Sequence, residues 1–185
     1  YVNSGKTMRG QSVKLMNDIK GVKTPVGSIK FKNGIVGVGN EIKEGNIPFQ
    51  GEFDGNGKTV TVNLNVNNLE EAVALFPNVA DSAYIHDLTV AGNVTSTYKH
   101  APRPGGFLRG NRDYNGKASI RIVNCKNTAN VTGDNYNGGI AGWVDIYKDT
   151  PKNINAILFE NCSNEGKVTG KRDQNGGLIG HFEYA

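Results

Sequence analysis

The sequence predicts an all-β chain folded as a parallel β-solenoid. Three observations carry that reading: an excess of turn-forming residues, short strands without a helical period, and a 37-residue repeat that carries two signatures in a fixed order.

The 185 residues include 25 glycines and 24 asparagines, so more than a quarter of the chain consists of residues that accept positive φ in turns. Hydrophobic residues make up only 37%, which disfavours a helical bundle with its long apolar faces. No run of ~18 apolar residues is present, so no membrane insertion is expected. The length suits one domain, 1–185, able to bury a core without disulfide staples. The opening Tyr1-Val2-Asn3-Ser4-Gly5 has neither an initiator Met nor a leader, and reads as the middle of a longer protein, truncated at both ends.

The strand segments follow in chain order. Ser12–Met16, Lys58–Val66, Ser119–Val123 and Ala156–Phe159 are short, rich in Val, Ile, Thr and Phe, and alternate apolar with polar residues. The segment nearest to a helical period, Asn68 to Phe76, is too short and lacks a cap. The first signature is Asn124-Cys125-Lys126-Asn127-Thr128-Ala129-Asn130-Val131-Thr132-Gly133. It recurs 37 residues later as Asn161-Cys162-Ser163-Asn164-Glu165-Gly166-Lys167-Val168-Thr169-Gly170, with six of ten positions identical. A degenerate copy begins at Asp87, with Leu88 in place of the cysteine. The second signature is Gly138-Gly139-Ile140-Ala141-Gly142, matched by Gly176-Gly177-Leu178-Ile179-Gly180 and, with one inserted residue, by Gly105–Gly110. Ala74-Leu75-Phe76-Pro77 reads as a divergent fourth version.

A propeller blade of similar length needs four hairpin-linked strands, and a sandwich needs no sequence repeat. A solenoid needs short strands, glycine or asparagine corners and equivalent side chains stacked from coil to coil, and it absorbs unequal spacings as loops. The expected coils span approximately 11–48, 49–84, 85–119, 120–157 and 158–185. Cys125 and Cys162 then occupy adjacent rungs of one parallel sheet as buried free thiols, with Leu88 on the rung before. Ile140 stacks near Leu178 and Phe107 near Ile140, all facing inward.

Ala74-Leu75-Phe76 and the repeated Gly-Gly-apolar-apolar-Gly strands resemble the GLUG motif of bacterial cell-surface and secreted proteins. Phe49-Gln50-Gly51-Glu52-Phe53-Asp54-Gly55-Asn56-Gly57-Lys58-Thr59-Val60 looks like the segment that precedes those motifs, and Val2–Thr7 with Val13–Ile19 resembles their first coil. The chain departs from the family at Ala74–Pro77, where glycines are usual. The resemblance implies a right-handed parallel β-helix with pectin-lyase-like coils, extracellular or on the bacterial cell surface. Such motifs occur in adhesin-like proteins and in accessory regions of immunoglobulin A peptidases. The resemblance implies no chemistry of its own.

The net charge of +4 is uneven: residues 1–43 carry 8 Lys/Arg against 2 Asp/Glu, and residues 44–185 carry 13 against 15. The early lysines, Lys14, Lys20 and Lys23 among them, are scattered singly and not interleaved with aromatics. They read as a solvated face guarding an exposed strand edge, and no nucleic-acid partner is expected. No two of His86, His100 and His181 lie at helical ligand spacing, so no metal and no cofactor are expected. Asp54-Gly55-Asn56-Gly57 reads as a turn, because no calcium-loop Glu follows it. Asp134 and Asp173, one repeat apart, could stack as paired carboxylates, or be solvated corners. The binding candidates lie on two irregular insertions rich in aromatic and basic residues: Tyr98 with Arg109 and Arg112, and Trp143 with Tyr147. The alternative for Trp143 is that it packs on its own coil.

With no titratable cluster visible along the chain, the expected function is a non-catalytic module for adhesion, ligand display or spacing, and not an enzyme. Its partner would be a host glycan or an extracellular protein. The alternatives are an accessory module of a secreted peptidase, such as an immunoglobulin A peptidase, and a glycan-cleaving β-helix, a lyase or hydrolase.

Overall fold

The computed structural model describes residues 5–27, 47–67, 73–80, 82–96, 108–109, 120–146 and 157–184. Their strands are β1 (Ser12–Lys14), β2 (Ile19–Val22), β3 (Glu52–Val66), β4 (Tyr84–Ser96), β5 (Leu108–Arg109), β6 (Ile120–Val123), β7 (Lys126–Asn127), β8 (Asn130–Gly133), β9 (Asn137–Gly138), β10 (Ala141–Ile146), β11 (Ile157–Glu160), β12 (Ser163–Asn164), β13 (Val168–Gly170), β14 (Asn175–Gly176) and β15 (Ile179–Tyr184). No helix occurs among the described residues. The protein is all-β.

Every described strand pairing is parallel. The strands form a 10-stranded, a 3-stranded and a 2-stranded sheet. Residues one sequence repeat apart lie side by side: Tyr84 pairs Arg121, which aligns with Leu158, and Val94 pairs Val131, which pairs Val168. Earlier rows start at Ser12 and Glu52. This arrangement is compatible with a β-solenoid.

The core follows from the same alignment. Alternating strand residues point to one face, so equivalent inward positions form apolar columns. Val13, Phe53, Ile85, Ile122 and Phe159 make one column; Phe53, Ile85 and Ile122 are buried within it. Leu64, Val94, Val131 and Val168 make another. The pairings on either side of Leu88, Cys125 and Cys162 place them on three successive rows. Both cysteines are free thiols, as expected. Desolvation pushes the Cys125 thiol up to about 12 and raises that of Cys162.

Asparagines close the corners. Asp87, Asn124 and Asn161 all take left-handed backbone, with φ of 51°, 52° and 50°. Asn161 Nδ2 donates to Asn124 Oδ1 at 3.1 Å, and Asn124 Nδ2 donates to Asp87 Oδ1 at 3.0 Å. Asn127 and Asn164 form an inner ladder, where Asn127 Nδ2 donates to Asn164 Oδ1 at 2.8 Å. Short amides in register thus satisfy one another from row to row.

Three expectations change. Ala74-Leu75-Phe76-Pro77 is buried but forms no strand; Phe76 instead packs on Phe49 and Phe53 with ring centroids 5.1 Å apart in each case. Leu178 does align with Ile140, whose amide donates to its carbonyl at 2.9 Å. Yet Ile140 is 1% exposed and Leu178 46%, because Leu178 lies on the last described row and no strand among the described residues covers it. Asp54-Gly55-Asn56-Gly57 is a bulge inside β3 and not a turn between strands. Phe107 lies outside the described residues.

Candidate functional site

The bulge in β3 organises a polar cluster that no stretch of sequence displays. Asp54 pairs His86 and Lys58 pairs Leu88, so Gly55, Asn56 and Gly57 together face Asp87. Gly55 is required there: a Cβ would come within 2.5 Å of the Asp87 carbonyl oxygen and 2.6 Å of Leu88 Cα. Asn56 sits at φ 51° and Gly57 at φ 68°, and the Asn56 amide donates to Asp54 Oδ1 at 2.7 Å. The Asn56 side chain donates to the Leu15 carbonyl at 3.0 Å, which ties the bulge to the first row.

Four rows then contribute side chains. Lys14 Nζ lies 2.8 Å from Asp54 Oδ2. His86 Nδ1 lies 2.7 Å from Asp87 Oδ2, and Nε2 lies 3.3 Å from Glu52 Oε1. A ring with protons on both nitrogens donates to both carboxylates. Ser12 Oγ donates to the other Glu52 oxygen. The Tyr84 ring stacks on His86 at 4.2 Å and 20°, and the Arg121 guanidinium lies 4.5 Å from the Tyr84 centroid, which fixes the imidazole plane. The cluster borders an open groove of about 370 Å³ that includes Lys14, Asp54, Asn56, Asp87 and Asn124.

All three carboxylates are held below their ordinary range. The hydrogen bond from Ser12 lowers Glu52, the one from Lys14 lowers Asp54 and the one from His86 lowers Asp87. Lys14 is raised by Asp54 in return. The arrangement keeps charges fixed at a groove wall; it does not hold a carboxylic acid ready to donate a proton. Asp54, His86 and Asp87 each offer one donor atom within 4.8 Å of the others, a spacing at which three groups can share a cation. Here Lys14 supplies positive charge at Asp54.

The expectation that the chain holds no titratable cluster is therefore corrected. The fold assembles Glu52, Asp54, His86 and Asp87 from strands whose steps of 32 and 30 residues differ from the 37-residue period. The one visible signal was Asp87 standing where the later copies have Asn124 and Asn161.

The candidate binding residues do not converge among the described residues. Trp143 is not on an irregular insertion: it lies within β10, is 8% exposed, and packs on His181 at 4.2 Å and Tyr136 at 4.8 Å. Its place in the register between Arg109 and His181 explains the burial. Arg109 likewise lies on a strand, β5. Tyr98, Arg112 and Tyr147 fall outside the described residues. Asp134 and Asp173 are no carboxylate pair: Asp134 is buried and its Oδ2 lies 3.1 Å from Arg172 Nε, while Asp173 is exposed.

No protein-family model matches the chain, and neither a curated protein nor a solved structure matches it.

Proposed function

We propose that the protein is a non-catalytic module, a right-handed parallel β-helix of the kind found in GLUG-motif surface proteins, used extracellularly for adhesion, ligand display or spacing. The observation that carries this reading is the register: sequence repeats align residue on residue across parallel strands, with asparagine ladders at the corners. Such stacking builds a stiff scaffold whose lateral surfaces carry side chains at fixed spacing. The groove beside Asp54 and Asp87 is the favoured contact surface, because its charges are fixed in position by Lys14, His86 and Asn124. Its partner would be a host glycan or an extracellular protein. Glycan hydroxyls suit an ionised carboxylate as hydrogen-bond acceptor.

The test is a binding screen of the purified chain against glycans and extracellular matrix proteins, with D54N and D87N as variants. Binding should fall about tenfold in the variants without loss of fold. A ligand bound equally by both variants would move the contact surface elsewhere.

The cluster itself favours a second reading, glycan cleavage, since two carboxylates face one groove with a histidine beside them. The depressed carboxylates count against it, because protonation of a leaving oxygen needs a carboxyl group whose pKa is raised. Release of reducing or unsaturated sugar ends from any polysaccharide, abolished by D54N or D87N, would establish that reading and defeat the first.

A further inference from the structure

Two neighbouring residues of β4 break the repeat, and both supply metal-ligand atoms at one place. Where the next two rows carry Val123 and Glu160, this row carries His86. Where they carry Asn124 and Asn161, it carries Asp87. Asp54, on the row before, pairs with His86. Their donor atoms converge: His86 Nδ1 lies 2.7 Å from Asp87 Oδ2 and 3.9 Å from Asp54 Oδ1. All three groups offer an atom within 4.8 Å of the others. Ligand atoms about 2.1 Å from a tetrahedral zinc ion stand about 3.4 Å apart, a value that these two separations bracket.

We propose that Asp54, His86 and Asp87 bind a divalent first-row transition-metal ion of the Zn2+ type. The partners around the triad hold each ligand atom for that use. His86 Nε2 faces Glu52 Oε1 at 3.3 Å, and Ser12 holds the other Glu52 oxygen, so Nδ1 is the ring atom left for the ion. A carboxylate on the second imidazole nitrogen is the usual support of a metal-bound histidine. Lys14 holds Asp54 Oδ2 at 2.8 Å and Asn124 holds Asp87 Oδ1 at 3.0 Å, so each aspartate keeps its other oxygen for the ion. Asp54 Oδ1 accepts the Asn56 amide at 2.7 Å and retains a second lone pair. Tyr84, stacked on the imidazole, keeps the ring in this plane. The three carboxylates against Lys14 leave two negative charges, which one divalent ion balances. The imidazole nitrogen selects against Ca2+ and Mg2+, which take oxygen ligands. The ion replaces the Nδ1 proton, which leaves to solvent. The groove lined by Asp54 and Asp87 gives it a way in. The site does not depend on the groove's role as a contact surface.

The test is titration calorimetry of the tag-free, metal-stripped chain with Zn2+ and, separately, with Ca2+, together with a proton–nitrogen correlation spectrum of the imidazoles. Zn2+ should bind, and the spectrum should show His86 ligated through Nδ1. The repeat itself supplies the variants: H86V and D87N install the residue types that the next row carries as Val123 and Asn124, so the row can keep its packing. Each should weaken Zn2+ binding more than tenfold. D173N, at an exposed aspartate outside the cluster, should leave it unchanged. Circular dichroism checks that each variant keeps the strand signal. A wild-type dissociation constant for Zn2+ above about 1 mM overturns the proposal. So does Zn2+ binding that H86V and D87N both leave unchanged, a spectrum in which His86 is ligated through Nε2, or Ca2+ bound as tightly as Zn2+.

Discussion

Val94, Val131 and Val168 occupy one column on successive rows, and this allows a matched substitution in which only the cover differs. Val131 is 0% exposed, with a valine on each side; Val168 is half-buried on the last row. Val131→Ala removes two methyl groups, about 1.6 kcal/mol of transfer free energy. Val94 is held by strand pairing on both sides and Val168 by its pairing with Val131, so the gap closes only in part and a cavity contribution of about 1 kcal/mol adds to it. The expected loss is about 2.5 kcal/mol, or about 5–10 °C in midpoint for a chain of this size. Val168→Ala should cost about 0.8 kcal/mol, or about 2–3 °C, since solvent fills the space. Thermal and urea unfolding followed by circular dichroism, in dilute protein, reads both. Equal losses would refute the account of the last row as uncovered; a Val131→Ala midpoint within error of wild type would refute the column itself.

Asn127→Ala should cost about 2–3 kcal/mol, because it removes the side-chain partner of both the carbonyl and the N–H of buried Ala129, whereas Asn161→Ala, at an exposed corner, should cost under about 1 kcal/mol; urea midpoints compare them. Glu52, Asp54 and Asp87 are depressed in the folded state, so their contribution is present above the ordinary carboxylate range and disappears as pH falls through the folded values. Acid titration of stability should drop below about pH 4, and less steeply in D54N. Lys14 has the opposite sign: its contribution is complete below 10.5 and is lost as pH rises past its raised folded value, an alkaline loss that K14M should lack. A thiol reagent at pH 8 should label Cys162 well before Cys125, whose thiolate is scarce and buried; equal labelling rates in the folded protein would contradict the burial.

Strand positions were legible because alternation and repetition are local or periodic properties. The 37-residue offset placed Cys125 beside Cys162 and Asn124 beside Asn161 before any coordinates, since parallel in-register strands convert sequence period directly into spatial neighbourhood. Where the period fails, so does the reading. Asp54 meets His86 across a 32-residue step, and the Gly55–Gly57 bulge that absorbs the mismatch looked like an ordinary turn.

The sequence by itself determined the all-β class, the repeat, the strand alignment of the later rows and the asparagine corners, all of which depend on residue type at fixed spacing. Tertiary structure alone decided the rest. It buried Trp143 by pairing its strand on both sides, placed Leu178 on the last described row where it stands open, and gave Asp134 to Arg172 in place of Asp173. It also gathered Lys14, Glu52, Asp54, His86 and Asp87 into one cluster, with Lys14, Asp54 and Asp87 lining a groove. Each of these turns on which strand lies above another and how far a backbone is displaced, and a pattern of residue types carries no measure of either.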